Sequence, residues 1–323
     1  MFGQSTILIN RWCIHININM TQQKEAKKEG GKVWKEIKKN KGPYLLISPF
    51  FITFFIFGLF PVVFSVYLAL SSWDGIGDME FIGLRNFEFL IKDAMFWKSI
   101  VNTLLIWFIS TVPMIILALV IAFLLNSAFV KFSEFYKTLY FLPNVTAIVA
   151  VAIIFGVIFA PSYGLINYFL TTLGFDAIDW HNNSLGVKVA VSAMIIWRWT
   201  GYNAIIFLAG LQKIPTSLYE AARIDGASTK DIFLKITIPL LKPVLLFVVI
   251  TSTIGGMQTF VEPQLLVGNS GGAGGEGMTI VLYLYQQAFV KNLYGYGSAI
   301  AIGLFVIIML FSLINWKVVG RKK

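Results

Sequence analysis

Long apolar runs broken by short polar stretches set the pattern of this chain. Six runs reach the roughly 20 predominantly apolar residues that a helix needs to cross a bilayer: Tyr44–Leu70, Ile100–Leu125, Leu139–Ala160, Val187–Leu211, Leu240–Phe260 and Ser298–Trp316. In hydrocarbon every backbone N–H and C=O must be satisfied without water, so runs of this length predict helices. The expected fold is all-α: a polytopic membrane protein with six transmembrane helices. A tail, residues 1–43, precedes the six-helix domain, residues 44–316, and a basic end, residues 317–323, follows it.

Composition points the same way. Hydrophobic residues make up 57% and charged residues 13%, where a soluble domain is nearer a half and a quarter. The net charge of +10 raises the question of a nucleic-acid partner. Its distribution argues against one. With the N-terminus inside, the inner segments hold 20 Lys and Arg and the outer loops four. Positive charge collects on the cytoplasmic side, so both termini are expected in the cytoplasm and no nucleic acid is expected.

The single Cys13 excludes a disulfide within one chain and any cysteine-based metal site, and His15 and His181 are too few and too separate for a ligand cluster. No catalytic triad or metal site is expected. No GxxxxGK[ST] is present, so no nucleotide site of its own is expected either. Residues 1–19 are apolar and asparagine-rich, then Met20 opens a polar Lys/Glu run. They are too short to span, and no small-residue site for a cleaved leader follows. Met20 is therefore the expected natural start. The stretch "GNSGGAGGEG", residues 268–277, matches GxGxxG spacing only by accident, since it lies between two spans rather than in a βαβ unit. It reads as a flexible outer loop.

One stretch breaks the apolar pattern. "LYEAARIDGASTKDIFLKITIPLLKP", Leu218 to Pro243, falls on the cytoplasmic side. Ser217 lies three residues before Glu220, and Ser228 three before Asp231, both capping-box spacings that start short helices. Gly226 between them suits a left-handed cap, and Pro239 ends the second helix or kinks the following span. Ala221 and Ala222 are small enough to let another surface approach. Two short helices with a glycine elbow carry too little apolar surface to be a domain.

Glu220-Ala221-Ala222, then Gly226, then Ile236 and Ile238-Pro239 resemble the EAA signature of ABC importer permeases. Ile238 stands where that pattern usually has leucine. "SPFF" (48–51), "FIGLRNF" (81–87), "FLP" (141–143), "GYNAIIFLAGLQKIP" (201–215) and "YLYQQAF" (283–289) are similar to the maltose and glycerol-3-phosphate branch. The resemblance covers roughly residues 43–320. It implies a type I importer permease in a bacterial-type plasma membrane, forming half of a sugar pathway. The segment 213–239 would be its coupling loop. Glu220, Ala221, Ala222, Gly226 and Pro239 would dock on a cytoplasmic ATPase dimer, which would hold ATP and magnesium. Further partners implied are a second related permease and an extracytoplasmic binding protein.

Arg198 is the one charge well inside an apolar run, flanked by Trp197 and Trp199 with Tyr202 and Asn203 a turn on. Intramembrane charges usually face a cavity or a neighbour. Aromatic faces with hydrogen-bonding groups suit a sugar, whereas an arginine snorkelling to an aromatic belt would look the same in sequence. Substrate-pathway positions carried over from the resemblance are Asn144, Ile148, Ile195, Arg198, Trp199, Ser252 and Gly256. Ile148, Ile195 and Gly256 depart from the maltose pattern in offering no side-chain hydrogen bond. Thr259, with Thr146, Gln258 and Glu262, adds polar candidates; Thr259 follows Ser252 by seven residues and is expected on its helix face. A neutral oligosaccharide is preferred over an acidic cargo. The alternatives are a transporter driven by an ion gradient, which would call for buried midplane carboxylates, and a structural subunit with no pathway.

Overall fold

The computed structural model describes residues 39–126 and 131–320. The expected start at Met20, the tail before residue 39 and the last three basic residues lie outside them. The chain divides into two units, one up to Phe64 and the other from Ser65. The first holds most of helix α1, Lys41–Ala69, a 29-residue helix with a π-helical segment at Phe54–Leu59. From Lys41 to Leu59 no residue is buried. An apolar helix with no buried face is what lipid contact permits and water does not.

The second unit is built from helices around a small antiparallel pair, β1 Ser71–Ser72 and β2 Glu80–Phe81. Helix α2, Arg85–Lys92, leads into α3, Ala94–Leu125. The Asp93 side chain accepts from Met95 N–H and caps α3. Tyr283 and Tyr296 both donate their hydroxyls to the same carboxylate, which ties the start of α3 to the C-terminal part of the chain.

Helices α4, Ser133–Val145, and α5, Ile148–Ile158, meet at 91°. The predicted span Leu139–Ala160 is thus a broken pair, not one rod. The break is local: Thr146 and Ala147 are extended, and Thr146 returns both its N–H and its hydroxyl to the Leu142 carbonyl. That satisfies a backbone group the break would otherwise orphan. Helix α6, Leu165–Thr172, follows. Helix α7, Ser184–Leu211, is continuous, capped by the Asn183 side chain.

Helices α8, Thr216–Ile224, and α9, Thr229–Leu240, come next, then α10, Lys242–Met257, at 71° to α9. Pro239 and Pro243 bracket that break, each lacking the N–H a continuous helix needs. The predicted span Leu240–Phe260 is therefore α10 alone, entered through a bend. Short α11, Val261–Val267, the glycine loop, α12, Ile280–Val290, and α13, Tyr294–Gly320, complete the chain. Three described helices, α1, α3 and α13, are long and apolar enough to cross a bilayer, or up to five if each bent pair is one span. Helix α7, which carries Lys188 and Arg198, falls outside that count.

The core of the second unit rests on α3 against α7, its most extensive helix pairing. Small residues allow the approach. Ala118 and Ala122 of α3 pack with Ala204, Phe207 and Leu208 of α7. Between helices in lipid, close van der Waals packing replaces the hydrophobic drive. A second core joins Phe96 and Ile100 of α3 to Ile280 and Leu282 of α12 and Ile300 of α13.

Candidate functional site

A cavity of about 410 Å³ opens beside α7 and α10. Helix α7 contributes Ile195, Trp199, Tyr202 and Asn203, a spacing of four, three and one that keeps all four on one helix face. Helix α10 contributes Phe247, Thr251, Ser252, Gly255 and Gly256, again one face. The turn after α10 adds Gln258, Thr259 and Phe260, α11 adds Val261 and Glu262, and α3 adds Thr111 and Met114. Two aromatic side chains, Trp199 and Tyr202, meet edge to face with centroids 5.6 Å apart.

Five of the eight predicted pathway positions line this cavity: Ile195, Trp199, Ser252, Gly256 and Thr259. The expected helix face for Thr259 is not the reason. Helix α10 stops at Met257, and Thr259 lies beyond it with its hydroxyl donated to the Gly256 carbonyl at 2.8 Å. Gly256 earns its place by close packing. A Cβ there would stand 2.6 Å from Trp107 Cδ1 of α3. Asn144 and Ile148 do not line the cavity. Asn144 ends α4, and Ile148 packs against the buried cluster of Val151, Ala152 and Met194. Both were carried over from the resemblance by counting from Leu142-Pro143, and the 91° bend at Thr146 and Ala147 falls between them.

Arg198 is not a lining residue. It sits 3.5 Å from Glu262 Oε1 through Nη1, with its guanidinium carbon 5.6 Å from the Trp199 ring centroid. Its Nε is buried without a partner among the described residues. Glu262, one of the polar candidates, is 7% exposed. The sequence could not pair these two, which lie 64 positions apart. Thr111 and Met114 were also missed, although Asn102, Thr103, Ser110 and Thr111 mark the buried face of that run.

At one end of α7 a polar cluster holds the glycine loop. Glu276 accepts from Lys98 of α3 at 2.7 Å and Lys188 of α7 at 3.2 Å, and also from the Ser184 hydroxyl. Lys98, first, then Ser184 and Lys188, hold the Glu276 carboxyl down at about 2 despite some burial. Lys188 has a side chain only 2% exposed. Asn102 donates to the Gly275 and Met278 carbonyls, and Gly277 N–H reaches the Gly271 carbonyl at 2.7 Å. The stretch read as a flexible loop is pinned turn by turn.

The charged segment forms the two helices expected of it, α8 and α9. Gly226 has φ +78°, the left-handed conformation glycine accepts most readily. Ala227 N–H bonds the Ala222 carbonyl and Gly226 N–H the Arg223 carbonyl, a Schellman closure of α8. Ser228 caps α9 by accepting from Asp231 N–H at 3.2 Å. The capping box expected of Ser217 and Glu220 does not form. Helix α8 already starts at Thr216, with Pro215 before it and no side-chain cap, so Ser217 lies inside the first turn. Glu220 is left without that partner, exposed on α8 near the buried Ala222.

Comparison with known proteins places these features. Residues 93–319 match the family model described as the binding-protein-dependent transport system inner membrane component. The arabinooligosaccharides transport system permease protein AraP of Bacillus subtilis (strain 168) is 39% identical over 301 residues, covering 92% of this chain and 95% of that one. The lactose transport system permease protein LacF of Rhizobium radiobacter is 34% identical over 284 residues, covering 87% and 94%. Among solved structures, a chain of a bacterial ABC transporter involved in the import of the acidic polysaccharide alginate shares the fold with TM-score 0.76 at 23% identity, covering 90% of this chain and 99% of that one. An ion-driven transporter and a purely structural subunit are thereby set aside. The chain belongs to the binding-protein-dependent transport system inner membrane component family, the multi-pass permease subunits of ABC importers.

Proposed function

We propose that this chain is one half of the translocation pathway of a carbohydrate importer, and that the cavity beside α7 and α10 is where the sugar passes. The observation that carries the reading is the lining itself. Trp199 and Tyr202 offer apolar ring faces, and Asn203, Thr251, Ser252 and Gln258 offer donors and acceptors, inside an otherwise apolar helix bundle. A sugar has apolar ring faces and hydroxyl edges, so it needs both at once. The related permeases named above serve arabinooligosaccharides and lactose, which supports the same cargo class here.

In this reading the chain crosses the membrane six times, α1, α3, the α4–α5 pair, α7, α10 and α13, with both termini in the cytoplasm. The predicted boundaries, residues 44–316 with the coupling loop 213–239, stand in this proposal. Helices α8 and α9 dock on a cytoplasmic ATPase, with Glu220, Ala221, Ala222, Gly226 and Pro239 at the contact. ATP and magnesium are held by that ATPase dimer. A second permease supplies the facing half of the pathway, and an extracytoplasmic binding protein delivers the sugar.

Purification of the tagged chain from its own membranes tests the assembly. A second permease and an ATPase should follow it, and Gly226→Asp should release the ATPase while the chain still inserts. Recovery of the ATPase undiminished with that variant would refute the docking role.

A further inference from the structure

Glu262 faces the cavity while its cationic partner does not. Arg198 meets Oε1 of Glu262 from behind, through a single contact at 3.5 Å, and is absent from the lining. Among the described residues no donor reaches Oε2 of Glu262. The Glu262 side chain is only 10% exposed, so water screens it little. The other lining groups are neutral. The cavity therefore offers its cargo one acidic face and no cationic one, even though an arginine lies within a single contact of it.

We propose that Glu262 is a charge filter of the pathway: it accepts hydrogen bonds from the hydroxyls of neutral saccharides and turns away uronate-bearing ones. This rests on the carbohydrate reading of the cavity. A sugar hydroxyl donating to a carboxylate makes a charge-assisted bond, stronger than a neutral one. A sugar carboxylate in the same place meets a like charge in a poorly screened site, a juxtaposition that works against binding. Arg198 weakens this repulsion but gives the cargo no contact of its own, because it is absent from the lining and its polar contact goes to Glu262. An arginine at position 198 would by itself invite acidic sugars; the pairing with Glu262 reverses that selection. Arg198 is on this view a positioning residue, holding the Glu262 carboxylate at the cavity wall.

Equilibrium binding to the purified complex, without its binding protein, isolates the permease from upstream selection. The probes are radiolabelled arabinotriose and trigalacturonate. The wild-type complex should prefer arabinotriose by at least about tenfold. Glu262→Gln should bind trigalacturonate at least about tenfold more tightly than wild type and arabinotriose less tightly. The double variant Glu262→Gln/Arg198→Gln leaves no unpaired buried charge, and it should also lose the preference if the single variant does not fold. Wild-type preference for trigalacturonate, or a double variant that excludes it as wild type does, overturns the filter. Failure of both probes on all three proteins overturns the carbohydrate reading and the filter with it, an outcome distinct from a sugar site that ignores charge.

Discussion

Replacing Gly201 by alanine tests the contact that seats the bent pair on α7. A Cβ at position 201 would stand 1.7 Å from the Tyr140 carbonyl oxygen and 2.4 Å from its carbon. Real Cβ contacts scarcely fall below 3.0 Å, so α4 would have to retreat by more than an ångström. Rotamer changes cannot relieve this, because the obstacle is backbone inside a helix. Overpacking a tight core costs about 1–3 kcal/mol, and a rigid backbone obstacle places this case near 3. For a chain of 323 residues that is a fall of roughly 4–5 °C in melting temperature. Thermal unfolding of the purified protein in lipid nanodiscs is the assay. Gly156→Ala is the comparator: it also lies in a helix, and its Cβ would meet nothing within 4 Å. Its melting temperature should equal or exceed that of wild type, since alanine is the better helix former. Trp199 and Asn203 lie two residues either side of Gly201, so uptake should fall with stability. A Gly201→Ala protein that melts with wild type would show that α4 does not cross α7 at this point.

Other outcomes follow from the polar cluster, the elbow and the cavity wall. Glu276→Gln removes the charge opposite Lys188, whose side chain is 2% exposed. Leaving a buried cation unpaired costs up to about 3–5 kcal/mol, and the partial exposure of Glu276 puts the loss below that, measured as a lower melting temperature. Because the folded-state value of Glu276 is depressed to about 2 from 4.5, its contribution is present above about pH 4.5 and lost as the pH falls toward about 2. The melting gap between wild type and Glu276→Gln should thus be constant from about pH 8 to pH 5 and narrow below. Gly226→Ala places a Cβ on a left-handed residue, at a cost of about 1–2 kcal/mol, and should loosen α8 by hydrogen exchange without altering the melt of the α3–α7 core. Trp199→Ala removes the aromatic wall of the cavity and should lower uptake at least about tenfold with ATPase docking intact, read from transport and co-purification in parallel.

The coupling segment shows how far a sequence can be read. Its two helices, the left-handed Gly226 and the Ser228 cap depend on residues within a turn of each other, and all three took shape as expected. The Ser217–Glu220 box failed at the same scale because Pro215 set the helix start two residues earlier than the serine needed. The cavity was half legible. Ser252 and Gly256 on α10 and Ile195 and Trp199 on α7 came from the family resemblance, and each pair, four residues apart, shares a helix face at the cavity. Asn144 and Ile148, carried over from the resemblance, lie on either side of a 91° bend that hydropathy does not register, and neither lines this cavity. Thr111 and Met114 were overlooked although Asn102, Thr103, Ser110 and Thr111 mark the buried side of α3.

By itself the sequence determined that this is a helical membrane protein, where its apolar runs lie, and that one charged elbow interrupts them. These are properties of short windows: the hydrophobicity that lipid requires, the φ a glycine permits, the N–H a proline lacks. Tertiary structure alone decided which residues enclose the cavity and which charges meet. Arg198 finds Glu262 across 64 positions, and Lys188 finds Glu276 across 88. Both pairings form because helix packing brings distant side chains into a poorly hydrated interior, where an unpaired charge is too costly to leave alone.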